Sequence, residues 1–163
     1  MLSNIKELIK QLTVEEKASI IAGADNWNFA EIMVCDGPHC LRKQDEKCDV
    51  SEVGRSVKSV CFPTASATSC SFNPQLLEEM GEALGDEALY QKVGIILGPA
   101  CNIKRSPICG RNFEYFSEDP LLSTVYTGAL VKGIQSRGVG SCIKHFACNN
   151  QENRRLTVSA DVE

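Results

Sequence analysis

Two Asx-Pro pairs constrain this chain most: Asn73-Pro74 and Asp119-Pro120, each standing directly before a long apolar stripe. An Asn or Asp side chain accepts from the free N–H groups of a helix's first turn. Proline at the first helical position gives up a donor that has no partner there anyway. Both pairs therefore predict helix starts. Behind the first, Leu76, Leu77, Met80, Ala83, Leu84 and Ala88 recur at helical spacing. Behind the second, Leu122, Val125, Tyr126, Ala129, Leu130 and Gly133 do the same, as far as Gln135. The remaining apolar runs are too short for helices. Ile32-Met33-Val34-Cys35 stops at Asp36-Gly37-Pro38, Ile95-Ile96-Leu97 lies between Gly94 and Gly98-Pro99, and Gly138 and Gly140 lead into a run from Ser141 to Phe146. Thr64 to Ser71 is a further strand candidate. Such runs, closed by turn signals, suit strands covered on both faces. Short strands alternating with longer amphipathic helices call for a parallel sheet, and so for an α/β fold.

Ahead of this alternation the chain is helical twice. Ile5, Leu8, Ile9 and Leu12 share one face; then Thr13, with Glu16 three residues on, forms a capping box for a second helix that carries Ile20 and Ile21 and ends at Gly23. Lys43 to Lys58 is polar and without period, and reads as a loop. The formal charge is -4, with neither sign gathered in a block, which argues against a nucleic-acid partner. No apolar run approaches the ~18 residues that span a bilayer, and the amphipathic N-terminus is unlike a secretory signal. A cytoplasmic location is expected, with no membrane partner and no cofactor. Nine cysteines, an odd number with no C-x-x-C, are expected to be mostly free thiols in a reducing compartment. With only His39 and His145 as imidazoles, no metal site is expected.

In parallel α/β folds ligands lie at the carboxyl ends of the strands. Asp36 follows the first strand, the segment around Arg111 follows the Ile95–Leu97 run, and Lys144-His145 close the last. One carboxylate, one guanidinium, one ammonium and one imidazole thus reach one edge of the sheet. Hydroxyl groups donate and accept together, so such a mixture suits a sugar, although ordinary strand-end charges facing solvent give the same pattern. Of the aromatics at 113, 115 and 116, at least two are expected simply to pack their loop. Asp119 reads as a helix cap rather than a catalyst.

The segments DGPHCLR, NIKRSPICGRNFEYFSEDP and GSCIKHFACNNQE, in this order, resemble the N-terminal domain of glycoside hydrolase family 3, the β-glucosidase-like enzymes. LTVEEKASIIAGAD and FPTASATSCSFNPQLLEEMGEALGDEA are similar to the same family, so the resemblance covers essentially the whole chain. It implies the N-terminal part, residues 1–163, of an incomplete (β/α)8 TIM-type barrel. It also implies retaining hydrolysis of terminal β-D-glucosyl or related residues, with a β-glucoside or oligosaccharide as partner. By match to the family's motifs, Asp36, Arg111, Lys144 and His145 would hold the hydroxyls of one sugar ring, and Arg42 would stand nearby. Cys40 occupies a place where the family usually has glycine.

The same resemblance sets what is absent. A full barrel takes ~250 residues. The family's nucleophilic aspartate stands in a Ser-Asp-Trp-type segment that is missing here, Trp27 being the only tryptophan. The acid/base glutamate comes from further on still. No residue of this chain is therefore assigned as catalytic, and the lone chain is expected to be inactive. It would also self-associate through open strand edges, or pair with the segments that complete the barrel. A non-catalytic carbohydrate-binding or assembly module, or a decayed pseudoenzyme, is the competing reading. The residues alone do not separate it from an enzyme fragment.

Overall fold

The computed structural model describes residues 4–21, 32–44 and 56–161, which fall in two compact units, Met1–Met33 and Val34–Glu163. In the first unit, α1 (Ile5–Gln11) and α2 (Val14–Ile21) follow one another. The capping box forms as the spacing predicts: Thr13 Oγ1 accepts from the Glu16 N–H at 3.2 Å, and Glu16 Oε2 accepts from the Thr13 N–H at 2.6 Å. Ile5, Leu8 and Ile9 stay about half exposed, and neither helix holds a fully buried residue. The expected stop at Gly23 lies outside the described residues.

The second unit is built from β1 (Val34–Asp36), α3 (Ala65–Thr68), α4 (Pro74–Tyr90), β2 (Ile95–Leu97), α5 (Pro120–Ser136) and β3 (Gly140–Ser141). The three strands pair in parallel in the order β1-β2-β3, with Cys35 opposite Ile96 and Ile96 opposite Ser141. Three parallel strands with their helices make an α/β fold of incomplete (β/α)8 type, since closure needs eight. Both Asx-Pro starts are where the sequence puts them. Asn73 Oδ1 accepts from the N–H groups of Gln75 and Leu76, and Asp119 Oδ1 from that of Leu121 at 2.8 Å. The core runs from Leu77, Leu84 and Val93 through Ile96 to Leu130 and Ile134, all essentially without solvent contact.

Glycine sets how closely α4 and α5 approach. A Cβ on Gly133 would lie 2.1 Å from the Glu78 carbonyl oxygen, and one on Gly81 would lie 2.5 Å from that of Leu130. Backbone therefore touches backbone where the helices cross. This also shifts the buried faces: Gly81, Gly85 and Ile134 are inside, whereas Leu76 and Val125, expected inside, remain more than two-fifths exposed.

Three strand expectations need correction. Thr64 to Ser71 is not a strand: it is α3 followed by a 3-10 turn over Ser69–Ser71. Its hydroxyls bond backward along the chain, Thr68 Oγ1 to the Thr64 carbonyl, Ser69 Oγ to Ser66 and Ser71 Oγ to Thr68, which closes helical turns. The first strand lies later than Ile32–Cys35 and buries only Cys35, with Val34 and Asp36 exposed, so it is covered on one face and not on both. The last strand is Gly140–Ser141 alone, extended by a single bridge between Ala100 and Lys144. Within the expected loop from Lys43 to Lys58, Gln44 and Ser56 pair in an antiparallel bridge.

Candidate functional site

The site grows from the carboxyl ends of the three strands. After Asp36 the chain turns on Gly37, whose φ of +142° and missing Cβ are both required: a Cβ there would stand 1.9 Å from the Cys40 carbonyl oxygen. The turn returns Arg42, whose N–H donates to the Asp36 carbonyl at 2.8 Å. Beyond β3, the Lys144 N–H donates to the Pro99 carbonyl at 3.0 Å and the Lys144 carbonyl accepts from the Cys101 N–H at 2.6 Å. The Lys144 backbone is thereby fixed to the end of β2. From there its side chain crosses the middle strand, and Nζ donates to Asp36 Oδ1 at 2.6 Å. The third contributor is the loop after β2, where Arg111 precedes a 3-10 turn (Asn112–Glu114) that ends in Glu114, and the two bond to each other through Nε and Oε1.

These groups form a chain of alternating charge. Lys144 Nζ also lies 3.7 Å from Glu114 Oε2, Arg111 reaches Glu152 at 3.4 Å, and Arg155 reaches the same carboxylate at 3.4 Å. Glu114 is buried, at 4% exposure, and without its two cations it would be an uncompensated charge. Beside it runs a network of uncharged groups that ends on Glu152. The Tyr115 hydroxyl contacts His145 Nδ1 at 2.8 Å and accepts from Asn149 Nδ2 at 2.6 Å, and that amide also donates to Glu152 at 2.9 Å. Asn102 holds the Asn149 backbone, accepting its N–H at 2.7 Å.

The titration directions follow from these contacts. Burial pulls the Asp36 carboxyl upward, but the Lys144 ammonium, the Gly37 N–H and Arg111 outweigh it and hold the carboxyl below its ordinary range. Burial lowers both histidines; Arg111 and Lys144 push His145 further in that direction. Burial drives the Tyr115 phenol up to about 12, so it stays protonated as a hydrogen-bonding group. Hydrogen bonding to Asn149, more than its guanidinium neighbours, keeps Glu152 low.

Asp36, Arg42, Arg111 and Lys144 line one cavity of about 460 Å³, together with His39, Phe113, Glu114 and Arg155. That is within the ~300–1,000 Å³ of small-molecule sites. His145 does not line it. Its ring faces Tyr115 edge-on and borders a second cavity of about 640 Å³ with Asn102, Lys104 and Glu118. Glu114, Tyr115, Asn149 and Glu152 belong to the cluster although the sequence motifs assign none of them to the sugar site. The Arg-x-x-Glu spacing of Arg111 and Glu114 was the one available signal for the first of them. Two of the three loop aromatics pack as expected, Tyr115 and Phe116 being buried, while Phe113 stands half exposed against the His39 ring. Among the described residues no group of three or more His, Cys, Asp or Glu could hold a metal ion, and no helix is long and apolar enough to cross a membrane.

Fold and site define an α/β domain of TIM-barrel type with a charged, hydrogen-bonding cluster at the strand ends. Residues 43–156 match the glycosyl hydrolase family 3 N-terminal domain, and the chain belongs to that family. It is 50% identical over 171 aligned residues to thermostable beta-glucosidase B of Acetivibrio thermocellus, covering 100% of this chain and 23% of that protein. It is 45% identical to an exo-alpha-(1->6)-L-arabinopyranosidase of Bifidobacterium breve, over 94% of this chain and 22% of the other. Among solved structures, the family 3 beta-glucosidase of Bifidobacterium adolescentis superposes with a TM-score of 0.80 at 44% identity, over 95% of this chain and 23% of that one. Beta-glucosidase 3B of Thermotoga neapolitana, in complex with alpha-D-glucose, superposes at 0.76 and 36% identity, over 92% and 24%. The chain thus spans less than a quarter of each of these proteins.

Proposed function

We propose that this chain supplies the hydroxyl-gripping wall of a glycosyl subsite in a retaining hydrolase of terminal β-D-glucosyl or related residues. The observation that carries the reading is the Asp36–Lys144 pair, 2.6 Å apart at the ends of two strands that do not pair with each other. Asp36 is half exposed toward the cavity and keeps acceptor capacity after serving Lys144 and the Gly37 N–H. Two hydroxyls of a pyranose ring would accept from Lys144 and Arg111 and donate to Asp36, with Arg42 at the rim. His145, held by Tyr115 against the second cavity, is left out of this grip. Double displacement needs two carboxylates about 5 Å apart across the scissile bond, one free to attack and one protonated. Asp36, Glu114 and Glu152 are each committed to cations, so the nucleophile and the proton donor come from outside this set.

The test is a glucose titration of the chain followed by the amide resonances of Gly37 and Gly110. A saturable, weak shift is expected, because only part of the pocket wall is present. Asp36→Asn and Lys144→Met should each weaken it about tenfold, the worth of a hydrogen bond to a charged group. Shifts of equal size and midpoint in Asp36→Asn would remove Asp36 from the subsite. An aryl β-glucoside should not be turned over. Turnover that disappears in Glu114→Gln would place the catalyst inside this chain.

A further inference from the structure

Among the described residues two thiols meet beside the cavity, one of them on its wall. The segment after β1 runs antiparallel to the segment before α3. The Phe62 N–H donates to the His39 carbonyl at 3.0 Å, Ser59 Oγ donates to the Leu41 carbonyl at 2.7 Å, the Val57 N–H donates to the Lys43 carbonyl at 2.8 Å, and Gln44 bridges Ser56. Counting inward from the His39–Phe62 bond, the next residues on the two segments are Cys40 and Cys61. Their thiols lie within hydrogen-bonding reach of each other, and facing cross-strand Cβ atoms lie ~4.5–5.5 Å apart, close to what a disulfide needs. Cys40 is half-buried and lines the cavity with Asp36 and Lys144, whereas Cys61 is exposed.

We propose that Cys40 and Cys61 are an oxidisable pair, closed to a disulfide by exchange with a small-molecule disulfide. In the first step the exposed Cys61 thiolate attacks one sulfur of the oxidant, forming a mixed disulfide and expelling one thiolate. In the second, the Cys40 thiolate attacks Cys61 Sγ, closing the Cys40–Cys61 bond and expelling the second thiolate. The protein loses two protons and two electrons, and the oxidant is reduced to two thiols. The order of attack follows from access. Cys40 is held above its ordinary pKa by burial first and then by the adjacent Cys61 thiol, so it is the slower to meet an outside reagent. Once Cys61 carries the mixed disulfide, its neighbour needs no diffusion to reach it.

The consequence is local. The bond ties the turn that carries Asp36 to Arg42 onto the chain leading into α3, and fixes the cavity wall at Cys40. The meeting of the two thiols and the exposure of Cys61 do not depend on which molecule enters the cavity.

The experiment is oxidation of the reduced chain with oxidised glutathione, followed by trapping with an alkylating agent and peptide mass mapping. The expected product is 2 Da lighter at a linked pair of peptides containing Cys40 and Cys61, and it forms ahead of any other intramolecular link. Cys61→Ser, at an exposed position, should abolish that link and leave Cys40 in its alkylated form. Separate glutathione adducts on Cys40 and Cys61 with no link between them would overturn the proposal. So would a first link that joins either one to a different cysteine.

Discussion

Gly133→Ala is the sharpest perturbation the fold offers, because the same helix carries its own control. At Gly133 the added methyl would lie 2.1 Å from the Glu78 carbonyl oxygen, 1.3 Å short of the 3.4 Å where ordinary contact begins. The obstacle is backbone on the facing helix, so no side chain can swing away, and α4 must back off from α5. A gap of ~0.5–1 Å already forfeits a quarter to a half of each contact's attraction, and Leu84, Leu130 and Ile134 all lie along that seam. Overpacking costs ~1–3 kcal/mol in typical cores and more where the backbone must move. Alanine's better helix propensity returns about 1 kcal/mol. Because the obstacle is backbone, the upper end of that range applies and the net loss is about 2 kcal/mol, or roughly 4–8 °C in melting temperature for a chain of this size. Gly128, on the same helix, has no atom within 4 Å of its would-be Cβ. Gly128→Ala should therefore stabilise by up to about 1 kcal/mol. Urea unfolding of both variants, followed by helical circular dichroism at matched low concentration, gives opposite signs. Equal midpoints for the two would refute the close helix crossing.

Three further expectations follow from the charged cluster and the sheet. His39 and His145 are both held below the ordinary value of about 6.5, so the unfolded chain takes up protons that the folded one declines, and stability should fall as pH drops below that value; Arg111→Met should raise the His145 midpoint in an NMR titration, and an unchanged midpoint would discount the guanidinium's influence. Asp36 runs the other way along the scale: its lowered pKa contributes stability present above the ordinary carboxylate value and lost as pH falls through the lowered one, and Lys144→Met should shift the Asp36 titration upward. Among the described residues β1 and β3 each have a partner strand on one side only, with Val34, Ile143 and Phe146 exposed nearby, so sedimentation should show concentration-dependent association. A monodisperse monomer with a sharp melt would count against open edges.

What was legible in the sequence was chemistry that acts within a few residues. The Asn73, Asp119 and Thr13 caps each satisfy donors two or three positions away, and the residues immediately around them locate them. Thr64–Ser71 misled because Thr and Ser suit a pleated strand and also bond back to the carbonyl three or four residues earlier, and the second option won. The site was half legible. Strand ends pointed to Asp36, Arg111 and Lys144, but which groups neutralise one another depends on contacts between distant segments. Glu114 was visible only as a loop carboxylate, and nothing local revealed that it would be sealed between Arg111 and Lys144. His145 followed its neighbour in sequence but not in space, since successive residues at the bridge face different cavities.

The Asp36–Lys144 contact joins positions 108 apart in the chain. Closing so long a span costs entropy that only a completed sheet offsets, whereas α4, the turn after it and β2 can assemble from neighbours. The cluster is therefore expected to form late in folding and to report its completion. During synthesis, Asp36 leaves the ribosome long before its partner exists, and for that interval it is an unpaired, solvated carboxylate. A spectroscopic probe beside Asp36 would read the arrival of Lys144 as the last step, after the helical signal has already reached its plateau.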